Sequence, residues 1–199
     1  AIDPLRTLHR SSTSFFDDPR LVQWADRYAT YSGSSPYAAP ATLACIPHIE
    51  ARYGCWYPMG GLDELRNAFV WVATEVGVDI RTRTDVVSIE AGERVTGVVL
   101  ADGTHERADI VVANTDAEHL YDDLLHDSVA LARVRLAKRS TSGFVLCLGV
   151  RGLTPDLTHH NVWFSNSYRS EYDQLDAGRL ADDPTIYACV PDDPGMRPT

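Results

Sequence analysis

The 199-residue sequence contains no run of five or more basic residues, no C-x-x-C pair and no long uninterrupted apolar stretch. Each absence excludes something. With a formal net charge of -10 and no clustered Lys and Arg, the chain offers no cationic face to phosphate, so nucleic acid is not expected as a partner. A membrane-spanning helix needs roughly 18 to 20 apolar residues, and no segment approaches that. The opening AIDPLRTLHR has no basic region followed by an apolar one, so neither secretion nor membrane spanning is expected. Cys45, Cys55, Cys147 and Cys189 stand far apart in sequence, a distribution that fits free thiols in a reducing cytoplasm better than a zinc site or a redox dithiol.

Self-sufficient catalytic motifs are missing as well. The sequence has no G-x-G-x-x-G after a strand, no Walker sequence, no G-x-S-x-G elbow and no H-E-x-x-H. His159 and His160 are adjacent, but neighbours on a strand point to opposite faces and cannot readily share one ion, so no metal is expected. Acidic pairs such as Asp122-Asp123 and Asp182-Asp183 fall where helices start or turn, which suits caps and solvated faces better than acid-base catalysis.

What is present is a core-forming composition, 44% hydrophobic and 23% charged, within the range of ordinary globular domains. Asp17-Asp18-Pro19 predicts a capped helix over 20–31 that ends near Gly33, with Leu21, Trp24, Ala25, Tyr28 and Ala29 on one face. Trp24, Tyr28 and Tyr31 read as core aromatics ahead of ligand-lining ones. Gly60-Gly61 allow a tight turn into a helix over 62–76, with Asp63 and Glu64 at its positive end and Leu62, Leu65, Phe69, Val72 and Val76 on an apolar face. Strands are predicted at 79–81, 86–90, 95–100, 105–107 and 109–112, with Asp102-Gly103 as a hairpin turn. Helices at 117–125 and 128–136 follow, then buried strands at 142–150, 161–164 and 185–190 sharing one sheet, with a helix at 168–175. No internal repeat or long linker interrupts the sequence, which reads as one α+β unit over 1–199.

The stretch Gly54-Cys55-Trp56-Tyr57-Pro58-Met59-Gly60-Gly61, with Gly77-Val78-Asp79-Ile80, Asp85-Val86-Val87-Ser88-Ile89, Gly97 to Gly103 and Ala108 to Asp116, closely resembles the bacterial phytoene desaturases and related carotenoid-modifying flavoenzymes of the flavin amine oxidase superfamily. Upstream Asp18-Pro19-Arg20-Leu21 and Tyr31 to Tyr37, and downstream Tyr121 to Leu125, Leu157-Thr158-His159-His160 and Asp183 to Tyr187, follow the family's order. Essentially the whole chain is covered.

The resemblance implies the α+β substrate-binding domain of a two-domain flavoprotein, with mixed helices, an antiparallel-rich sheet and no N-terminal Rossmann unit in this sequence. Segment 58–116 would abut the FAD domain. It implies FAD in the intact enzyme and, because the glycine-rich pyrophosphate turn is absent, little or no FAD retained by these residues alone. Val86 would meet the adenine through its backbone, and Asn114 and Thr115 would lie in the segment returning toward the cofactor. Gly60 and Gly61 would sit near the junction of cofactor and substrate regions, and Trp24, Tyr28, Tyr31 and Trp163 would line the cavity for a hydrophobic polyene. The implied reaction moves a hydride from an allylic carbon to oxidised flavin while a neighbouring carbon loses a proton, leaving a new double bond. Peripheral membrane contact through the helical N-terminal third is the corresponding expectation for a lipid-soluble substrate. Two alternatives stand beside it: a stand-alone apolar-ligand module, and an amine-oxidase-like flavoenzyme whose pocket would be lined by buried carboxylates.

Overall fold

The computed structural model describes residues 3–152, 155–191, 193 and 195. Where the sequence reads as one unit, contacts cluster into two: residues 1–68 with 140–199, and residues 69–139. Both combine helices with small antiparallel sheets. The α+β expectation holds in that form.

The first unit begins with α1 (Leu8–Phe15), whose start is capped by Thr7. Leu8 N–H donates to the Ala39 carbonyl at 2.9 Å, His9 N–H to Pro36 at 3.0 Å and Ala41 N–H to Arg6 at 2.9 Å. These bonds fix α1 against the 36–41 segment. Leu8, Ala29 and Ala39 form a small buried core, with Tyr28 and Leu43 packed against it.

Helix α2 (Pro19–Asp26) has Asp18 as its N-cap and Pro19 in its first turn, where the missing N–H costs nothing. It tightens into a 3-10 turn over Arg27–Ser32 and stops at Gly33, which takes the left-handed conformation at φ 59°. The inward face differs from the expected one. Val22, Asp26 and Ala29 are buried, whereas Leu21 and Trp24 are both 47% exposed. On that inward face the Asp26 carboxylate meets His9 Nδ1 at 2.6 Å.

A 3-10 turn (Ala41–Ala44), α3 (Cys45–Tyr53) and α4 (Leu62–Glu75) follow. Helix α4 begins where expected and ends at Glu75, one residue short of the expected 76, with Gly77 beyond it at φ 84°. Its apolar face is bare, however. Leu62 and Val76 are 74% exposed and Phe69 69%.

The second unit carries β1 (Val86–Ala91), β2 (Val95–Leu100) and β3 (His105–Arg107) as an antiparallel meander. At the Asp102-Gly103 turn, Gly103 has φ 86° and the Asp102 carboxylate accepts from Thr104 N–H at 2.9 Å. Expected strands at 79–81 and 109–112 are absent from the structure. Arg81 instead pairs with Asp79 at 2.7 Å and with Glu106 at 2.6 Å. Beyond the meander, α5 (Ala117–His119) widens into a π turn over Leu120–Leu124, and α6 (Ser128–Leu136) starts on an Asp127 cap.

Back in the first unit, 142–150 forms no strand, a correction to the buried strand its apolar composition suggests. A strand needs a ladder partner. Here β4 (His160–Trp163) and β5 (Ile186–Cys189) pair only with each other, and Phe144, Val145 and Leu148 stand 89%, 79% and 73% exposed. Between the two strands, α7 (Tyr168–Asp176) buries Tyr168, Glu171 and Tyr172. The Glu171 carboxylate accepts from Ser165 Oγ at 2.7 Å, Thr185 N–H at 2.8 Å and Thr185 Oγ1 at 2.7 Å, which compensates its burial.

Candidate functional site

The helical spacing of Trp24, Tyr28 and Tyr31 assembles them into one aromatic row. Trp24 meets Tyr28 edge-on at 5.7 Å between ring centroids, and Tyr28 stacks on Tyr31 at 5.9 Å with planes 9° apart. Glu50 from α3 ties the row together, accepting from Tyr28 Oη at 2.7 Å and from Tyr31 Oη at 2.9 Å. Burial, then Glu50, pushes the Tyr28 hydroxyl well above its ordinary pKa, and the bond to Glu50 leads the rise at Tyr31. Tyr28 serves the core, while Trp24 and Tyr31 keep exposed ring surface. Trp163 is half-exposed on β4, and among the described residues no ring contact joins it to this row.

A second cluster surrounds α2. His9 Nδ1 lies 2.6 Å from Asp26 Oδ2, and the Asp26 side chain is 1% exposed. Its other oxygen, Oδ1, is buried without a hydrogen-bond partner among the described residues. Burial pushes the Asp26 carboxyl above the usual range, against the opposing pull of His9. Both residues line an open cavity of about 550 Å³, together with Gln23, Tyr37, Tyr168 and Arg169. The Arg169 guanidinium sits 4.4 Å over the Tyr37 ring.

Gly60 and Gly61 have φ 90° and 86°, so both use the freedom that only glycine has at low cost. Gly60 N–H donates to Asp193 Oδ2 at 2.6 Å, and Tyr57 Oη donates to the same oxygen at 3.2 Å. The Gly60 N–H, then that of Gly195, holds the Asp193 carboxyl below its ordinary range. Val86 opens β1 opposite Leu100 and is 38% exposed; Asn114 and Thr115 lie exposed in the irregular segment before α5.

The histidines depart from the alternation expected of strand neighbours. His160 opens β4, but His159 precedes the strand, so alternation does not separate them. Their rings are 4.5 Å apart, and ligand atoms of His159, His160 and Cys189 all lie within 4.8 Å of one another. The point at which the strand begins is the signal that brings them together.

Comparison with known proteins fixes the class. Residues 6–151 match the family of flavin containing amine oxidoreductases, and the chain belongs to that family. It is 37% identical over its whole length to 4,4'-diapolycopene oxygenase of Methylomonas sp, covering 41% of that protein. It is 40% identical over 98% of its length to hydroxyneurosporene desaturase of Cereibacter sphaeroides, covering 40% of it. It is 38% identical over 86% of its length to 1-hydroxycarotenoid 3,4-desaturase of a Flavobacterium species, covering 36% of it. The chain thus spans about two fifths of these relatives' length.

The family implies a flavin, and the start of α4 does not supply its pyrophosphate cradle. Such a cradle needs free backbone N–H groups at a helix N-terminus. At α4 the Gly60 N–H is already taken by the Asp193 carboxylate, and Asp63 and Glu64 occupy the first turn, where their charge opposes a second anion.

Proposed function

We propose that this chain is the central, substrate-holding portion of an FAD-dependent carotenoid desaturase or oxygenase, acting on an acyclic polyene. The observation that carries the reading is the identity of 37–40% to carotenoid-modifying enzymes over 98–100% of the chain. The flavin would supply the oxidising equivalents, while the residues here would hold and orient the apolar substrate. Trp24 and Tyr31 give flat, exposed rings suited to a conjugated chain, and Glu50 fixes the hydroxyl-bearing edge of the row. Trp163, Gly60 and Gly61 would extend that surface toward the cofactor side. Val86, Asn114 and Thr115 would form only a rim of the flavin site, so the 199 residues alone would bind FAD weakly or not at all.

The bare apolar face of α4 and the exposed run 142–150 fit this reading, since a protein carrying the rest of its relatives' length would cover them. Among the described residues no helix is long and apolar enough to cross a membrane. Phe15, Leu21 and Trp24 are exposed apolar groups on α1 and α2, suited to shallow insertion into a neutral bilayer where the substrate dissolves.

A second reading rests on Asp26. A buried carboxylate lining a cavity suits a substrate with an amine or hydroxyl better than a pure hydrocarbon. One experiment separates the two: expression of a protein carrying this chain with its relatives' remaining length in cells that accumulate an acyclic carotene. A more unsaturated or oxygenated carotenoid supports the main reading. Unchanged carotene, with amine oxidation by the purified flavoprotein, supports the second.

A further inference from the structure

The cluster of His159, His160 and Cys189 lies outside the span matched by the family model, 6–151, and nothing in the flavin reading uses it. Its geometry follows from the β4–β5 register. His160 is the direct antiparallel partner of Cys189, so both side chains leave the same face of the sheet. Tyr187, two residues before Cys189, shares that face, and its hydroxyl lies 2.8 Å from His160 Nδ1. With Nδ1 engaged, Nε2 of His160 is the nitrogen left to bind a ligand. His159 sits one step before the strand, where its carbonyl accepts from Val190 N–H at 2.9 Å. Tyr57 packs edge-on against its ring at 4.9 Å. Two imidazoles and a thiol thus converge from both strands, with donor atoms within 4.8 Å of one another.

The geometry points to a divalent transition-metal site of the zinc type, with His159, His160 and Cys189 as ligands and the fourth position left to water. Nitrogen and sulfur donors select borderline and soft ions over calcium or magnesium. Zinc bonds of about 2.0–2.3 Å require donors about 3.5 Å apart, which modest side-chain rotation provides. On binding, the Cys189 thiol gives its proton to solvent and the thiolate sulfur bonds the ion. The ion ties the N-terminal end of β4 to the C-terminal end of β5, and Tyr187 orients His160 from behind.

The test uses the protein stripped of metal with a chelator and titrated with Co2+ and then Zn2+. One equivalent of Co2+ gives a thiolate-to-cobalt band in the near ultraviolet and the visible bands of tetrahedral coordination, and Zn2+ abolishes both. Cys189→Ser removes the thiolate band, whereas Cys147→Ser leaves it. Tyr187→Phe weakens binding by about tenfold. A second measurement needs no variant: Zn2+ slows alkylation of Cys189, chelator restores it, and the exposed Cys45, Cys55 and Cys147 serve as references. The proposal is overturned if no thiolate band forms, if the band survives Cys189→Ser, or if Zn2+ slows all four cysteines equally.

Discussion

His9 Nδ1 lies 2.6 Å from Asp26 Oδ2, so a residue 17 positions away partners the carboxylate buried on the inward face of α2. Burial raises the Asp26 carboxyl above its usual range. An acid whose folded pKa is raised binds its proton more tightly when folded, so stability declines as pH rises from the unfolded value, about 3.9, through the folded value. Each tenfold gain in proton affinity on folding corresponds to about 1.4 kcal/mol. Urea melts of wild type and Asp26→Asn between acid and neutral pH check this. The stability of wild type relative to the variant should fall with pH in that window; parallel curves contradict it.

Glu50 links the two tyrosines unequally. Its bond is the leading cause of the raised Tyr31 pKa, whereas burial leads at Tyr28. In Glu50→Gln, both titrations, followed by NMR of the labelled rings, should move down toward about 10, and Tyr31 should lose the larger share of its rise because burial still holds Tyr28 up. An equal fractional loss at both would show that the carboxylate is not what distinguishes them.

Gly60→Ala should destabilise the first unit by about 1–2 kcal/mol, because φ is 90° and the new Cβ would meet Glu64 Cγ at 2.8 Å. Glu64→Ala in the same chain should recover only the steric part. Thermal melts of the single and double variants measure it, and full recovery would deny the backbone contribution.

The bare face of α4 gives a prediction with two arms. Phe69→Ser in the 199-residue chain should change stability by less than about 0.5 kcal/mol, because the ring is 69% exposed. In a protein carrying the relatives' remaining length, the same change should cost about 3 kcal/mol if the face is covered. Denaturant midpoints in both contexts decide; equal small effects would leave that face without a cover.

Local signals made much of this fold legible. The Asp18 cap, Pro19 and Gly33 bracket one helical segment, Gly60-Gly61 and Gly77 bracket α4, and Asp102-Gly103 sets the β2–β3 turn. What stayed hidden depends on distant partners. Nothing near Asp26 announces His9, and nothing near Tyr28 announces Glu50. The run 142–150 has the composition of a buried strand, but composition cannot supply the neighbour that a strand must bond. The convergence of His159, His160 and Cys189 hinges on a strand boundary falling between two adjacent residues, finer than periodicity resolves. The aromatic row was the readable part of the candidate site, because its spacing is helical.

The most direct measurement is anaerobic mixing of an acyclic carotene with the flavin-loaded protein that carries this chain, following the flavin's visible absorption. The account predicts that the carotene bleaches the oxidised flavin and yields an equivalent amount of a more oxidised carotenoid, with Trp24→Ala and Tyr31→Ala slowing the bleaching at low carotene. A flavin that stays oxidised with every carotene offered, yet is reduced by an amine, would contradict it.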